Sequence, residues 1–259
     1  MMGIHNTMEG VPSSMIREVS CLMELNHPNI IRLMRVASQG IYLYPVFEYQ
    51  VNDLAYLLKY PKDSMNGYST KNFNSYSLFT TFLLVEEFSS SDSSRSLSFG
   101  TRYIRRDLKP VNILVDLDGK TVKVAGFGLA KSLYAYKGES SAEVGTHYYK
   151  APELLLGLLE YSTAVDIWPV GCIFGEMVSG KPLFPGANSL ITLGRIVGKS
   201  RKPSFCKLSL RDHLTNGFPG LEPAGIDLIS KMLGMDPDKR ITAAEALQQE
   251  YFKDVPGRS

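Results

Sequence analysis

Three polar residues, Asp107, Lys109 and Asn112, fall within six positions of one another in Arg106-Asp107-Leu108-Lys109-Pro110-Val111-Asn112. A loop of that length can bring a carboxylate, an ammonium and an amide to one small volume. The chemistry that uses such a trio is phosphoryl transfer. There the carboxylate accepts the proton of an attacking hydroxyl, the ammonium neutralises charge on the moving phosphoryl group, and the amide binds a metal ion. Each residue alone is equally at home in a solvated polar turn, so the surroundings decide.

Those surroundings read as short elements able to hold a loop. Ile113–Val115 and Thr121–Val124 are apolar strands around Asp116-Leu117-Asp118-Gly119-Lys120, whose Asp-Gly pair marks a hairpin turn. Upstream, Pro12 to Leu25 reads as a helix, with Pro12 at the first helical position and Ile16, Val19 and Met23 at helical spacing. Ile30–Val36 and Ile41–Tyr49 follow as strands of a hairpin turned at Ser38-Gln39-Gly40. Pro45 removes a ladder donor from the second strand, which leaves one of its sides without a partner. Leu78, Phe79, Phe82, Leu83 and Val85 predict a buried helix. Ser89–Ser98 holds seven serines and reads as a solvated loop open to phosphorylation. The remainder alternates helical patterns with Pro- and Gly-marked loops and closes with a helix from Thr242 to Gln249. The expected architecture is α+β, with residues 1–50 as a small helix-plus-hairpin unit and 51–259 as a larger helical body.

Bulk properties narrow the class. The 259 residues are 44% hydrophobic, enough for one or two sizeable cores. Lys and Arg total 28 against 26 acidic residues, and they are scattered rather than clustered, which argues against a nucleic-acid partner. Cys21, Cys172 and Cys206 lie far apart, as do His5, His27, His147 and His213, so neither a disulfide framework nor a metal cage is expected. The first residues lack the pattern of a signal peptide. The densest apolar stretch, Leu78 to Val85, is far shorter than the ~18–20 residues a bilayer crossing needs. A soluble intracellular protein, nuclear or cytoplasmic, is expected, with no membrane partner.

The loop resembles the protein-kinase catalytic loop R-D-L-K-P-x-N. Further motifs follow in the order of that family: Phe127-Gly128, Ala151-Pro152-Glu153, Asp166-Ile167-Trp168 with Gly171, and Asp236-Pro237-Asp238-Lys239-Arg240. Within the family, Glu9-Gly10-Val11-Pro12-Ser13-Ser14-Met15-Ile16-Arg17-Glu18 is similar to the cyclin-contacting helix of cyclin-dependent kinases. Asn26-His27-Pro28-Asn29-Ile30, Phe47-Glu48-Tyr49, Tyr161 to Asp166, Gly171 to Phe174 and Pro182 to Gly186 continue that likeness, and Glu250 to Asp254 looks like the end of the plant members.

The resemblance implies ATP and Mg2+ as ligands. It implies that Glu48 and Gln50 present backbone groups to adenine and that Asp53 meets the ribose. Asp107, Lys109, Asn112 and Thr146 become the catalytic set, with Thr146 bridging Asp107 and Lys109. Arg17 and Arg106 would clamp a phosphate on Ser141, with Lys131 in place of a third Arg. Glu153 and Arg240 would pair, and Asp166 would begin the central helix. A cyclin-like protein is the implied partner of the Pro12–Glu18 helix, through Pro12, Ile16, Arg17 and Glu18.

Departures from the family are equally legible. Gly3 and Gly10 are the only glycines before Gly40, and no lysine precedes Lys59, so neither a Gly-rich loop nor the lysine that pairs with Glu18 is present in these residues. Gly126 stands where the family places its metal-binding Asp, which leaves Asn112 as sole metal ligand; Asp116 and Asp118 belong to the hairpin turn. Arg105 replaces a His and must reach solvent or find an acid. Pro169 replaces a Ser inside the central helix, at a cost of ~3 kcal/mol unless the helix kinks. Gly145 and Lys150 replace the Val and Arg behind the family's preference for proline after the phosphorylated residue. Losing one preorganised charge-stabilising group costs about 10²–10³-fold in rate, so the expected fall is roughly 10⁴-fold or worse. Three functions compete: a truncated, catalytically impaired cyclin-dependent-kinase relative acting by binding, an active Ser/Thr kinase with another metal ligand, and a non-functional truncated gene product.

Overall fold

The computed structural model describes residues 12–40, 42–60, 81, 103–105, 107–116, 121–132, 146–158, 161–200 and 210–254. The first helix, α1 (Ser13–Glu24), starts one residue later than expected because Pro12 is its N-cap rather than its first helical residue. Pro12 has no N–H to lose, and its carbonyl accepts from Met15 (3.0 Å) and Ile16 (3.2 Å). The buried face of α1 is Cys21 and Leu22, whereas Ile16 and Met23 of the expected apolar stripe are 55% and 76% exposed.

Strands β1 (Leu33–Gln39) and β2 (Tyr42–Phe47) form an antiparallel pair from Leu33↔Phe47 to Gln39↔Tyr42, with an irregularity after Leu33. Both run a few residues off the expected limits. Gly40 takes φ +61 in the turn, a conformation open to glycine. Pro45 lies opposite Val36, and no third strand joins this sheet among the described residues.

A second sheet positions the site. Its order is β3 (Asn52–Asp53), β5 (Ile113–Val115), β6 (Val122–Val124), all antiparallel, with β4 (Tyr103–Ile104) and β7 (Lys131–Ser132) paired apart from it. β5 and β6 alternate buried and half-buried residues, so Ile113, Val115, Val122 and Val124 point to the core and Leu114 and Lys123 to the other face. The stretch after α1 is stitched to β6: Val124 N–H donates to Asn29 O (2.7 Å), Ile31 N–H to Val124 O (3.0 Å), and Asn29 Nδ2 to Val122 O (2.8 Å).

The remaining described elements are helical. After the short helix α2 (Leu54–Lys59) come α3 (Pro152–Leu155), α4 (Ala164–Ser179), α5 (Ser189–Ser200), α6 (Leu210–Gly217), α7 (Pro223–Met232) and α8 (Ala243–Leu247). Helix α4 is buried along most of its length. Added Cβ atoms at Gly171 and Gly175 would lie 2.9 Å from Leu233 and 2.4 Å from Leu183, so these glycines set how closely the chain packs on α4. Pro169 does not end α4, which runs on to Ser179 and closes on Gly180 at φ +69. Arg240 Nη1 supplies a donor to Ala164 O in its first turn (2.7 Å). Thr242 and Glu245 form a reciprocal capping box on α8, and that helix ends two residues before the expected Gln249. One core cluster runs from Cys21, Ile30 and Ile31 through Trp168 and Phe174 to Phe252. Among the described residues no helix is long and apolar enough to cross a membrane. Of the apolar stretch at 78–85 only Thr81 is described, helical and buried; the serine-rich 89–98 lies outside the described residues.

Candidate active site

The loop reaches its shape through local bonds. Pro110–Asn112 is a single 3-10 turn ahead of β5, and Asn112 N–H donates to Lys109 O (2.9 Å). Leu108 and Pro110 are buried and anchor the loop, which leaves Asp107 and Lys109 half-buried beside each other. Lys109 Nζ lies 2.8 and 3.1 Å from the two oxygens of Asp107. Asn112 Nδ2 donates to Asp107 O (2.8 Å) and, less closely, to Asp107 Oδ2 (3.3 Å). The three residues singled out by spacing thus meet at one carboxylate. Thr146 does not join them: it stands exposed at the N-cap of His147–Tyr149, and no hydrogen bond links it to Asp107 or Lys109 among the described residues. Lys109 reaches Asp107 directly, so a bridge has nothing to span.

Position 126 explains how Asn112 comes to face inward. Gly126 adopts φ +76, and a Cβ there would lie 2.3 Å from Asn112 Nδ2 and 2.8 Å from Asn112 Oδ1. The amide fills the place a side chain at 126 would take. Mg2+ prefers several oxygen ligands, charged ones above all. Here the carboxylate at 126 is absent, Asp107 is engaged by Lys109, and Asn112, whose Nδ2 donates to Asp107, offers one neutral oxygen, Oδ1. No group of three or more His, Cys, Asp or Glu able to hold a metal occurs among the described residues. Asp116 accepts from Thr121 N–H (3.2 Å) in the hairpin turn and offers no substitute; Asp118 lies outside the described residues. The donor set does not fit Mg2+.

The next residues bind α1. Glu18 Oε1 accepts from Phe127 N–H (3.2 Å), and Arg17 Nη1 donates to Gly128 O (2.8 Å). Burial pushes the Glu18 carboxyl above the usual range; the Phe127 N–H opposes the shift and Asp107 adds to it. Arg17 is therefore committed to a backbone carbonyl, and its expected partners in a phosphate clamp, Arg106 and Ser141, lie outside the described residues, as do Gly145 and the side chain of Lys131.

Arg105 was expected to reach solvent or find an acid, and it does not reach solvent. It is 1% exposed. Its Nη2 donates to Ala125 O (2.7 Å), and its guanidinium lies 4.5 Å from the centre of the Phe127 ring. Burial pulls its pKa down to about 10, against the opposing fields of Asp166 and Asp107. Its N–H also donates to Asp166 Oδ2 (2.9 Å), tying the loop to the first turn of α4. Sequence reasoning missed this fastening because its partners are a carbonyl and a ring twenty residues on.

Between the two sheets' ends lies a cleft of about 570 Å3. Ile31, Phe47, Leu114 and Ala125 give it apolar walls, and Glu18, Glu48, Gln50 and Asp53 give it polar ones. Glu48 N–H donates to Arg32 O (3.0 Å), while its side chain takes Lys123 Nζ (2.7 Å) and Arg32 N–H (2.8 Å). Burial favours the protonated form of Glu48, but Lys123 and the Arg32 N–H outweigh it and hold the carboxyl low. The Lys123 contact was not foreseen, although strand alternation places Lys123 on the face of Leu114. Asp53 Oδ1 caps α2 through Tyr56 N–H (2.8 Å). Gln50 Oε1 is buried without a donor.

Away from the cleft, Glu153 and Arg240 form a bidentate pair at 2.6 and 3.0 Å with both side chains buried. Arg240 also donates to Gly234 O (3.0 Å) and lies over the Trp168 ring. This ion pair joins two segments 87 residues apart.

A family model described as protein kinase domain matches residues 3–252. The match runs from ahead of α1 to the last turn after α8, through the loop, the cleft and the Glu153–Arg240 pair alike. On that extent of agreement, the chain belongs to the protein kinase domain family.

Proposed function

We propose that this chain is a cyclin-dependent-kinase-like member of the Ser/Thr kinase family whose phosphotransfer is impaired and which acts by binding. The observation that carries the impairment is Gly126 at φ +76 with the Asn112 amide packed where a metal-holding carboxylate would stand. Glu18 adds to it, since its carboxylate is turned to the Phe127 N–H. Kinases use their metal ions to bridge and neutralise the phosphates, so a rate at least ~10⁴-fold below an ordinary kinase follows. The test is phosphate incorporation from ATP into a generic Ser/Thr substrate, with Asp107→Asn as control. Signal that vanishes in Asp107→Asn would establish an active kinase instead, a reading favoured only by the intact Asp107–Lys109 contact.

The binding half rests on α1, whose Ile16 is 55% exposed while Cys21 and Leu22 hold the helix to the core. A cyclin-like protein is the proposed partner, met in the nucleus or cytoplasm. Capture on a panel of cyclins should succeed for the unaltered chain and fail for Ile16→Asp; equal recovery of both would remove the idea.

A further inference from the structure

Helix α1 is fastened to the segment after Gly126 by two side chains. Arg17 Nη1 donates to Gly128 O (2.8 Å), and Glu18 Oε1 accepts from Phe127 N–H (3.2 Å). Ser14 stands three residues before Arg17 and four before Glu18, the spacings at which helical side chains meet. Its Cβ lies 3.6 Å, and Glu18 Oε2 3.8 Å, from the point where a Cβ on Gly128 would stand, so the two flank one spot on the joint. Ser14 is nevertheless exposed, and its hydroxyl makes no hydrogen bond among the described residues. Arg17 is half-buried and spends one nitrogen on Gly128, while its Nε and Nη2 find no acceptor among the described residues. The first turn of α1 holds no acid that could serve Arg17 instead.

We infer that Ser14 is a phosphorylation site, and that a phosphate there releases α1 from Phe127 and Gly128. In the active site of a separate Ser/Thr kinase, the Ser14 oxygen takes the γ-phosphoryl group of ATP; the hydroxyl proton passes to that enzyme's base and ADP leaves. The new group brings about two negative charges and three strong acceptors. It sits one turn from both fastenings and acts on them with opposite signs. Arg17 gains paired bonds to an anion in place of a single bond to a neutral carbonyl. The Glu18 carboxylate, on the same face, is repelled. Both bonds to Phe127 and Gly128 weaken together. The other serines of α1 lack this placement, since Ser13 lies five residues from Glu18 and Ser20 two, and neither spacing brings side chains face to face.

Two measurements on the full chain test this. After incubation with ATP in a eukaryotic cell extract containing phosphatase inhibitors, mass spectrometric mapping should find phosphate on Ser14, and Ser14→Ala should lose that phosphopeptide. An extract that leaves Ser14 unmodified overturns the site. The second measurement uses chain carrying phosphoserine installed at position 14, shown folded by a cooperative thermal melt. Its Phe127 amide should exchange hydrogen at least ~10-fold faster than in the unmodified chain, the scale of one lost hydrogen bond. Phosphoserine installed instead at position 38, an exposed serine of β1, should leave that rate unchanged. In Glu18→Gln, which keeps an acceptor for Phe127 N–H and has no charge to repel, phosphoserine at position 14 should accelerate exchange less. Equal exchange with and without phosphate on Ser14 overturns the release, as does equal acceleration from position 38 or in Glu18→Gln.

Discussion

Two charged clusters in this molecule invite comparison. Glu153 and Arg240 are 4% and 0% exposed and satisfy each other in a dry, bidentate pair. Asp107 and Lys109 are 16% and 20% exposed and stand at the edge of a cleft. The first cluster is complete within the chain, so it keeps its geometry whatever the ligand state. The second belongs to a kind of site in which ligand charges complete the set. Its members hold one another, Lys109 and Asn112 both reaching Asp107, while Glu18 nearby takes the Phe127 N–H. The buried pair joins two distant segments, and the half-buried pair stands where the proposed loss of metal binding would be felt.

The largest effect is expected at the closed pair. Arg240→Ala leaves Glu153 buried and unpaired and should cost about 3–5 kcal/mol in urea unfolding, with the double change Arg240→Met, Glu153→Leu costing much less. A loss below ~1 kcal/mol for Arg240→Ala would show that the pair is not closed. Arg105→Ala comes next. It removes the bond to Ala125 O and the contact with Phe127, for about 2–3 kcal/mol by the same measurement.

At the open end, Gly126→Asp sharpens the contrast. A non-glycine residue at φ +76 and a displaced Asn112 should together cost about 1–3 kcal/mol. The variant should gain no magnesium-dependent rise in melting temperature unless Asn112 vacates the position. A rise would show that Asn112 yields freely and that one substitution rebuilds the metal site.

The smallest effect concerns Glu18 and pH. Its folded carboxyl titrates above the ordinary 4.5. Between 4.5 and its raised value the native state holds more protons than the unfolded one, so stability falls as pH rises through that window and then levels. Glu18→Gln keeps an acceptor for Phe127 N–H. It should match the unaltered chain in melts near pH 4, where both are uncharged, and exceed it at pH 7. Parallel melting curves across that range would contradict the assignment.

Much of this was legible in the sequence where partners are near neighbours. The Asp107-Lys109-Asn112 cluster and the Val115/Val122 hairpin strands lie within a few residues of their partners, and spacing alone brought them together; the closing helix was expected too, though not the Thr242–Glu245 cap that starts it. The loss at Gly126 was equally readable, but not that Asn112 fills the space, because that depends on the left-handed turn at 126. Pro169 was expected to strain or kink α4; it stays helical, in a first half whose Ala164 carbonyl takes a donor from Arg240, 76 residues away. Arg105 was read as needing water or an acid; it is shut from water, lies in the fields of Asp166 and Asp107, and adds a carbonyl and a ring that spacing did not show. Ile16 and Met23 share helical spacing with Val19, yet periodicity cannot say which side of a helix meets the core when Cys21 and Leu22 supply a competing one.

The proposed impairment requires that this cleft not grip a metal-bound triphosphate. Thermal melts of the purified chain with ATP, at zero and at millimolar magnesium, address it most directly. The expected result is one melting temperature at every magnesium concentration, unchanged by ATP. A clear upward shift that appears only when ATP and magnesium are present together would contradict it.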